Sequence, residues 1–373
     1  MVEYPVRIRE KAQSPSSKER IEAIGYIDDN VHDFDDMKDV WEDIHRLTQD
    51  KDKDVRWIAT NALGAAYASV PGKDEAWEDL HRLTKDEDKG VRGSATVALG
   101  EIFASVLGKD EAWEDLHRLT QDKGRSVRLS ATDALGAAFA FVPDKDEAWE
   151  DLHRLTQDGD KDVRWIATVA LGAAYASVPG KDEAWEDLHR LTQDEDDGVR
   201  LRSALALRGA FAFVPEKDRA WEDLYRLTRD KDEHVRGSAT VVLGEIFVDV
   251  PGKDEALEDL HRLTQDKDEH VRLSAAYSLG VIFAYAPDKD KVWGDLHRLT
   301  QDEDKDVRWR ATFALGRAFA DIPDKDEAWE DLHRLTQDKD EHVREVAADA
   351  LGLAFACMPD KDKAREDLQR LSR

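Results

Sequence analysis

The chain has 373 residues, 37% of them charged, and a formal net charge of -28. That length exceeds what one ordinary hydrophobic core organises, so domains or repeats are required. With 41% hydrophobic residues and 11 Trp the chain is too apolar for a disordered acidic polymer, and its one cysteine, Cys357, excludes an intrachain disulfide and a Cys-rich metal cluster.

The stretch from Met1 to Arg20 is polar, with Pro5, Pro15 and a run of serines, and lacks the apolar core of a signal peptide. Residues 1–18 are expected to be a flexible segment. Ile21, Ile24, Ile27, Val31 and Phe34 then predict a degenerate cap over residues 19–36, in which the Val-Arg and Gly positions of the downstream pattern read as lost. No window approaches the roughly 18 consecutive apolar residues of a membrane-spanning helix, so a cytoplasmic protein without membrane contact is expected.

From residue 37 one period takes over. Trp41, Trp77, Trp113, Trp149, Trp185, Trp221, Leu257, Trp293 and Trp329 recur every 36 residues, and a Val-Arg pair recurs in the same frame from Val55-Arg56 to Val343-Arg344. A fixed period of this size means stacked supersecondary units, here nine copies over residues 37–360.

Within a copy, Trp77, Leu80 and Thr84 fall on one face of a helix predicted over Lys73–Thr84, called helix A. Where the preceding turn reads Pro-Asp, as at Asp144, Glu147 follows three residues later in the pattern of a capping box. A polar stretch, Lys85–Gly90, separates helix A from helix B, predicted over Val91–Val106. The turn that closes helix B usually holds a proline, such as Pro71 or Pro215, which cannot continue a helix. Residues 361–373 predict a C-terminal capping helix, with Arg365 in the Trp place and Gln369 in the His place giving it a wetter face.

Each copy also carries an Asp six residues before the helix B Arg, from Asp50 and Arg56 to Asp338 and Arg344. These residues resemble the HEAT-like repeats of the phycobilisome-lyase type, over about residues 37–372. The resemblance implies an all-α fold, an α-solenoid wound as a right-handed superhelix, in which such Asp and Arg residues bond from one repeat to the next. It implies little about activity, because unrelated functions share that repeat.

Comparing the copies with one another separates what the stack requires from what it leaves free. Val55, Arg56, Leu63 and an aromatic at Tyr67 recur throughout. Gly64 recurs in eight copies, and Arg208 replaces it in the fifth, where a local distortion is expected. The positions equivalent to 57, 61, 65 and 69 vary, and their spacing of four makes them one stripe on helix B. By the resemblance that stripe lines the concave side. Its candidate partner-binding residues are Trp57, Leu129, Phe141, Trp165, Leu201, Phe213, Leu273, Tyr277, Tyr285, Trp309, Phe313 and Arg317, with Leu205, Glu101, Asp133, Glu245 and Asp321 interspersed. Large apolar groups on an outward stripe point to a binding groove, or else to neighbouring B helices that cover one another. Tyr277, Tyr285, Trp309 and Phe313, on adjacent helices of the seventh and eighth copies, are the first place to expect a hot spot.

Other constellations are weaker. A His follows most helix A Trp residues by four, but equivalent atoms in stacked helices lie roughly 8–10 Å apart, far beyond zinc ligation. Asp50, Asp52 and Asp54 alternate as in a calcium loop but lack its Gly and terminal Glu. No phosphate loop or nucleophile set stands out, so no catalytic site, metal or cofactor is expected, and a -28 chain without a basic stripe disfavours nucleic acid. The expectation is a non-enzymatic scaffold or adaptor, a monomer, that binds a protein or peptide along helix B; the charge allows a basic segment. The alternative is a lyase or chaperone-like subunit that handles a prosthetic group, as in the phycobilin lyases. Residues 55–72 and 163–180 differ only at Asn61 and Val169, so a recently expanded array with little specificity is a third reading.

Overall fold

A computed structural model describes residues 3–106, 109–178 and 181–358, and among them every regular element is a helix. The A helices are α1 (Val6–Ala12), α3 (Met37–Leu47), α5 (Lys73–Leu83), α7 (Lys109–Leu119), α9 (Lys145–Leu155), α11 (Lys181–Leu191), α13 (Lys217–Leu227), α15 (Lys253–Leu263), α17 (Lys289–Leu299) and α19 (Lys325–Leu335). The B helices are α2 (Ser17–Asn30), α4 (Lys53–Ala66), α6 (Lys89–Ile102), α8 (Arg125–Ala138), α10 (Lys161–Ala174), α12 (Asp197–Ala210), α14 (Glu233–Glu245), α16 (Glu269–Ile282), α18 (Lys305–Ala318) and α20 (Glu341–Ala354). The chain forms two compact units, Met1–Asp187 and Leu188–Arg373. In each, consecutive B helices lie side by side with A helices packed against them, which is the layering of an α-solenoid.

Helix B begins at Lys89 and ends at Ile102, earlier at both ends than the Val91–Val106 expected. Asp88 sets the start, because its carboxylate accepts the Gly90 N–H at 2.8 Å and the Val91 N–H at 3.3 Å and satisfies donors that no helical carbonyl reaches. Past Ile102 the chain tightens into a turn, and in the copies with Tyr175–Ser177, Phe283–Tyr285 and Phe319–Asp321 that turn is a short 3₁₀ helix. At Asp144 only half of the expected capping box forms. Asp144 accepts from the Asp146 and Glu147 N–H groups, whereas the Glu147 carboxylate accepts the Trp113 indole N–H of the preceding copy at 2.7 Å.

Two hydrogen-bonded ladders stitch the copies. The Arg56 guanidinium donates to both carboxylate oxygens of Asp86 in the next copy, at 2.7 and 2.9 Å, and to the Asp50 carbonyl of its own loop at 2.9 Å. The same fork recurs from Arg92 to Asp122, Arg128 to Asp158, Arg200 to Asp230, Arg236 to Asp266, Arg272 to Asp302 and Arg308 to Asp338. On the A helices, His45 Nδ1 lies 2.5 Å from Asp79 of the next copy, and His81 stands likewise to Asp115. In the sixth copy, where Tyr225 takes the His place, Arg229 lies over the Tyr225 ring and reaches Asp259 at 2.7 Å. The recurring histidines are therefore structural partners of buried aspartates.

The N-terminal segment differs from its expectation. Residues expected to be flexible hold α1, and the arginine that read as lost is present as Arg20, preceded by Glu19 instead of Val. Arg20 donates to Asp50 at 2.6 and 3.0 Å, and the Tyr4 hydroxyl donates to the buried Asp43 at 2.9 Å. An incomplete tenth copy thus supplies the donors that the first rungs of both ladders would otherwise lack. The expected C-terminal cap with Arg365 and Gln369 lies outside the described residues.

Glycine at the Gly64 position has a steric cause. A Cβ on Gly64, Gly100, Gly244, Gly280 or Gly316 would come within 2.6–2.8 Å of a side-chain atom on the next B helix, so the close approach of the two helices demands glycine. At Arg208 the expected distortion does not appear in α12, which runs unbroken; the side chain turns outward and pairs with Glu245 at 3.2 Å.

Candidate functional site

The structure divides the stripe by how far each residue is covered. Trp57, Phe141, Phe213, Tyr285, Phe313 and Arg317 are exposed, while Leu129, Trp165, Leu201, Leu273, Tyr277 and Trp309 are half-buried. Phe141, Phe213 and Tyr285 sit past the last α-helical residue, in the closing turn or its short 3₁₀ helix, so the fourth stripe position belongs to the turn and not to helix B. Trp309 is a correction to the outward reading: it packs on Leu335, Val343 and Ala347 of the ninth copy and forms part of that core. Trp57 also leans on its neighbour, with its ring edge 3.9 Å from where a Gly90 Cβ would lie.

In the second unit four of the predicted residues do converge. Between α16 and α18 lies a recess of about 400 Å³ lined by Tyr277, Gly280, Val281, Tyr285, Arg310, Phe313, Ala314 and Arg317. That volume accepts one or two amino-acid side chains. Its floor is built by the glycine rule above: a Gly280 Cβ would meet the Ala314 Cβ at 2.7 Å, so two small residues let the helices close at the base while larger side chains rise at the rim. Tyr285, 62% exposed, and Phe313, 39% exposed, form the open walls. Phe313 is held by a near-parallel stack on Trp309, with centroids 6.1 Å apart and planes 13° apart, so Trp309 supports the site from beneath.

The polar groups of the recess are two guanidiniums. Arg310 lies 4.7 Å from the Trp309 ring and 5.6 Å from the Tyr277 ring, and Arg317 lies 5.9 Å from the Phe313 ring. Arg310 was not in the sequence stripe. A second recess, lined by Thr264, Gln265, His297, Arg298, Leu299, Gln301 and Asp302, contrasts with it because its polar groups are spent on the ladders: His297 pairs with Asp331, Arg298 with Asp295, and Asp302 with Arg272. Among the described residues no group of three or more His, Cys, Asp or Glu is placed to hold a metal ion, and no helix is long and apolar enough to cross a membrane.

The family described as HEAT repeats matches residues 44–136 and 296–373. The chain carries HEAT-like repeats. The phycobilisome-lyase type in particular has no such support. A crystal structure of importin beta is similar over 93% of this chain and 50% of that one, at 16% identity and a TM-score of 0.68. Kap121p bound to Pho4p is similar over 98% of this chain and 42% of that one, at 15% identity and a TM-score of 0.66. Kap121p bound to Nup53p gives 98% and 42%, 15% identity and a TM-score of 0.62. The chain therefore spans half or less of these karyopherins, and at such identity they establish the fold alone. A comparison with curated proteins finds no match.

Proposed function

We propose that the chain is a non-enzymatic scaffold or adaptor that binds a protein or peptide along its helix B face, with the α16–α18 recess as its anchor point. The observation that carries the reading is the convergence of Tyr277, Tyr285, Phe313 and Arg317 around one open recess. Rigid aromatic walls lose little side-chain entropy on binding and bury a large area, which suits them as hot spots. The fold is that of karyopherins, and the solved Kap121p complexes hold Pho4p and Nup53p.

The test is affinity capture from lysate with the full native chain and with a Tyr285→Ala, Phe313→Ala variant, each checked by circular dichroism. A partner retained only by the native chain supports the reading. Equal retention by a folded variant removes the anchor role of the recess, and an unfolded variant places these side chains in the core.

A further inference from the structure

Resting on that reading, we propose that the α16–α18 recess selects an acidic segment of the partner polypeptide, in which a carboxylate side chain sits beside a large apolar one. The stacking arginines around the recess are saturated: the forks of Arg236, Arg272 and Arg308 are filled by Asp266, Asp302 and Asp338. Arg310 and Arg317 are not. Among the described residues neither forms an ion pair, and the buried Nε of Arg310 has no hydrogen-bond partner.

Two acids of neighbouring stripe positions are already engaged: Glu245 pairs with Arg208 and accepts from the Tyr277 hydroxyl at 3.4 Å, and Asp321 lies 3.4 Å from Lys289. A chain of net charge -28 thus presents two uncompensated cations at a recess walled by aromatics. The planar guanidiniums, held against rings, keep their N–H forks for a planar carboxylate, while Tyr285 and Phe313 offer the adjoining apolar surface.

The repeat itself supplies a second argument. Residues 53–70 of the first copy and 305–322 of the eighth differ at Ile58/Arg310, Asn61/Phe313, Ala65/Arg317, Tyr67/Phe319, Ser69/Asp321 and Val70/Ile322. The first three differences all line the recess, and both new cations are there. The stack holds at the first copy without these side chains, so stacking does not demand them.

The test is selection of a displayed random-peptide library on the full chain, followed by titration of the enriched peptides on the native chain and on the Arg310→Gln and Arg317→Gln variants at two salt concentrations. Arg317 is exposed, so its variant stays informative even if the Arg310 one fails to fold. The proposal predicts enrichment of Asp or Glu next to an aromatic or large aliphatic residue, and a loss of about ten-fold or more in affinity for Arg317→Gln that high salt reproduces on the native chain. Peptides that need Phe313 but are neutral or basic, with affinity unchanged in both Arg variants, overturn the acidic selection and leave the helix B scaffold standing. Equally tight binding of free 3-phenylpropionate, which marks a small-molecule site, overturns it too. Failure to enrich any peptide counts against both.

Discussion

Gly93 and Gly100 lie two turns apart on α6, and the structure assigns opposite signs to the same substitution at the two places. A Cβ on Gly93 meets nothing within 4 Å, whereas a Cβ on Gly100 meets the Ala134 Cβ at 2.7 Å and its Cα at 3.0 Å. Ordinary carbon contacts lie at about 3.5–4.0 Å, so α6 and α8 must part by roughly 1 Å to admit the methyl group, and no rotamer change relieves a clash with Cα and Cβ. Removing a glycine from a helix interior gains up to about 1 kcal/mol, and overpacking costs about 1–3 kcal/mol. Gly93→Ala is expected to stabilise by about 1 kcal/mol, and Gly100→Ala to destabilise by about 1–2 kcal/mol despite the same local gain. Because long repeat arrays unfold region by region, the assay is hydrogen exchange of the α6 and α8 amides alongside a urea melt of the full chain. If both variants move the same way by similar amounts, the close approach invoked for the recurring glycine is wrong.

The ladders give further expectations. Asp266→Asn leaves the buried Arg236 guanidinium without its charge partner and is expected to cost about 3–5 kcal/mol, read as lost protection in the helices on either side. For Asp122, Asp230, Asp266, Asp302 and Asp338, burial pushes the carboxyls up, but the hydrogen bonds and charge of their arginines and neighbouring N–H groups outweigh it and hold them below the usual range. Carboxyls depressed in the folded state stabilise it fully above the unfolded value of about 3.9, and that stability disappears as pH falls through the lower folded values; an acid titration followed by circular dichroism should show a plateau down to about pH 4 and then a steep loss. Arg20→Ala should fray the first two B helices, since it strips the donor from Asp50, while exchange at α18 stays unchanged. Trp309→Ala should destabilise the ninth copy by about 3–5 kcal/mol, whereas Phe313→Ala, 39% exposed, should leave the melt nearly unmoved.

The fold was legible in the sequence because every copy repeats its Trp, its Asp and its Val-Arg pair in one frame, so a single unit fixes the element order. Arg20 is hidden in the sequence because Glu19 stands where the Val of the Val-Arg pair should be; the arginine alone, 36 residues before Arg56, carries the register. Arg310 is not legible from a stripe with a spacing of four, because it lies one residue off that spacing. The position it holds varies among the copies, from Ile58 through Ser94 and Arg202 to Val346, and at i+3 and i+7 it shares a face with Phe313 and Arg317. The half-burial of Trp309 was not legible, because it depends on how closely the next copy stacks, and that distance is set by pairs such as Gly316 and Ala350 in three dimensions.

The most direct test of the binding account is photo-crosslinking in lysate from a photoreactive residue placed at Tyr285, on the helix B side, or at Glu330, exposed on α19. The account predicts a discrete crosslinked partner from position 285, suppressed by Phe313→Ala, and none from position 330. The same partner from both positions, or from position 330 alone, would contradict it.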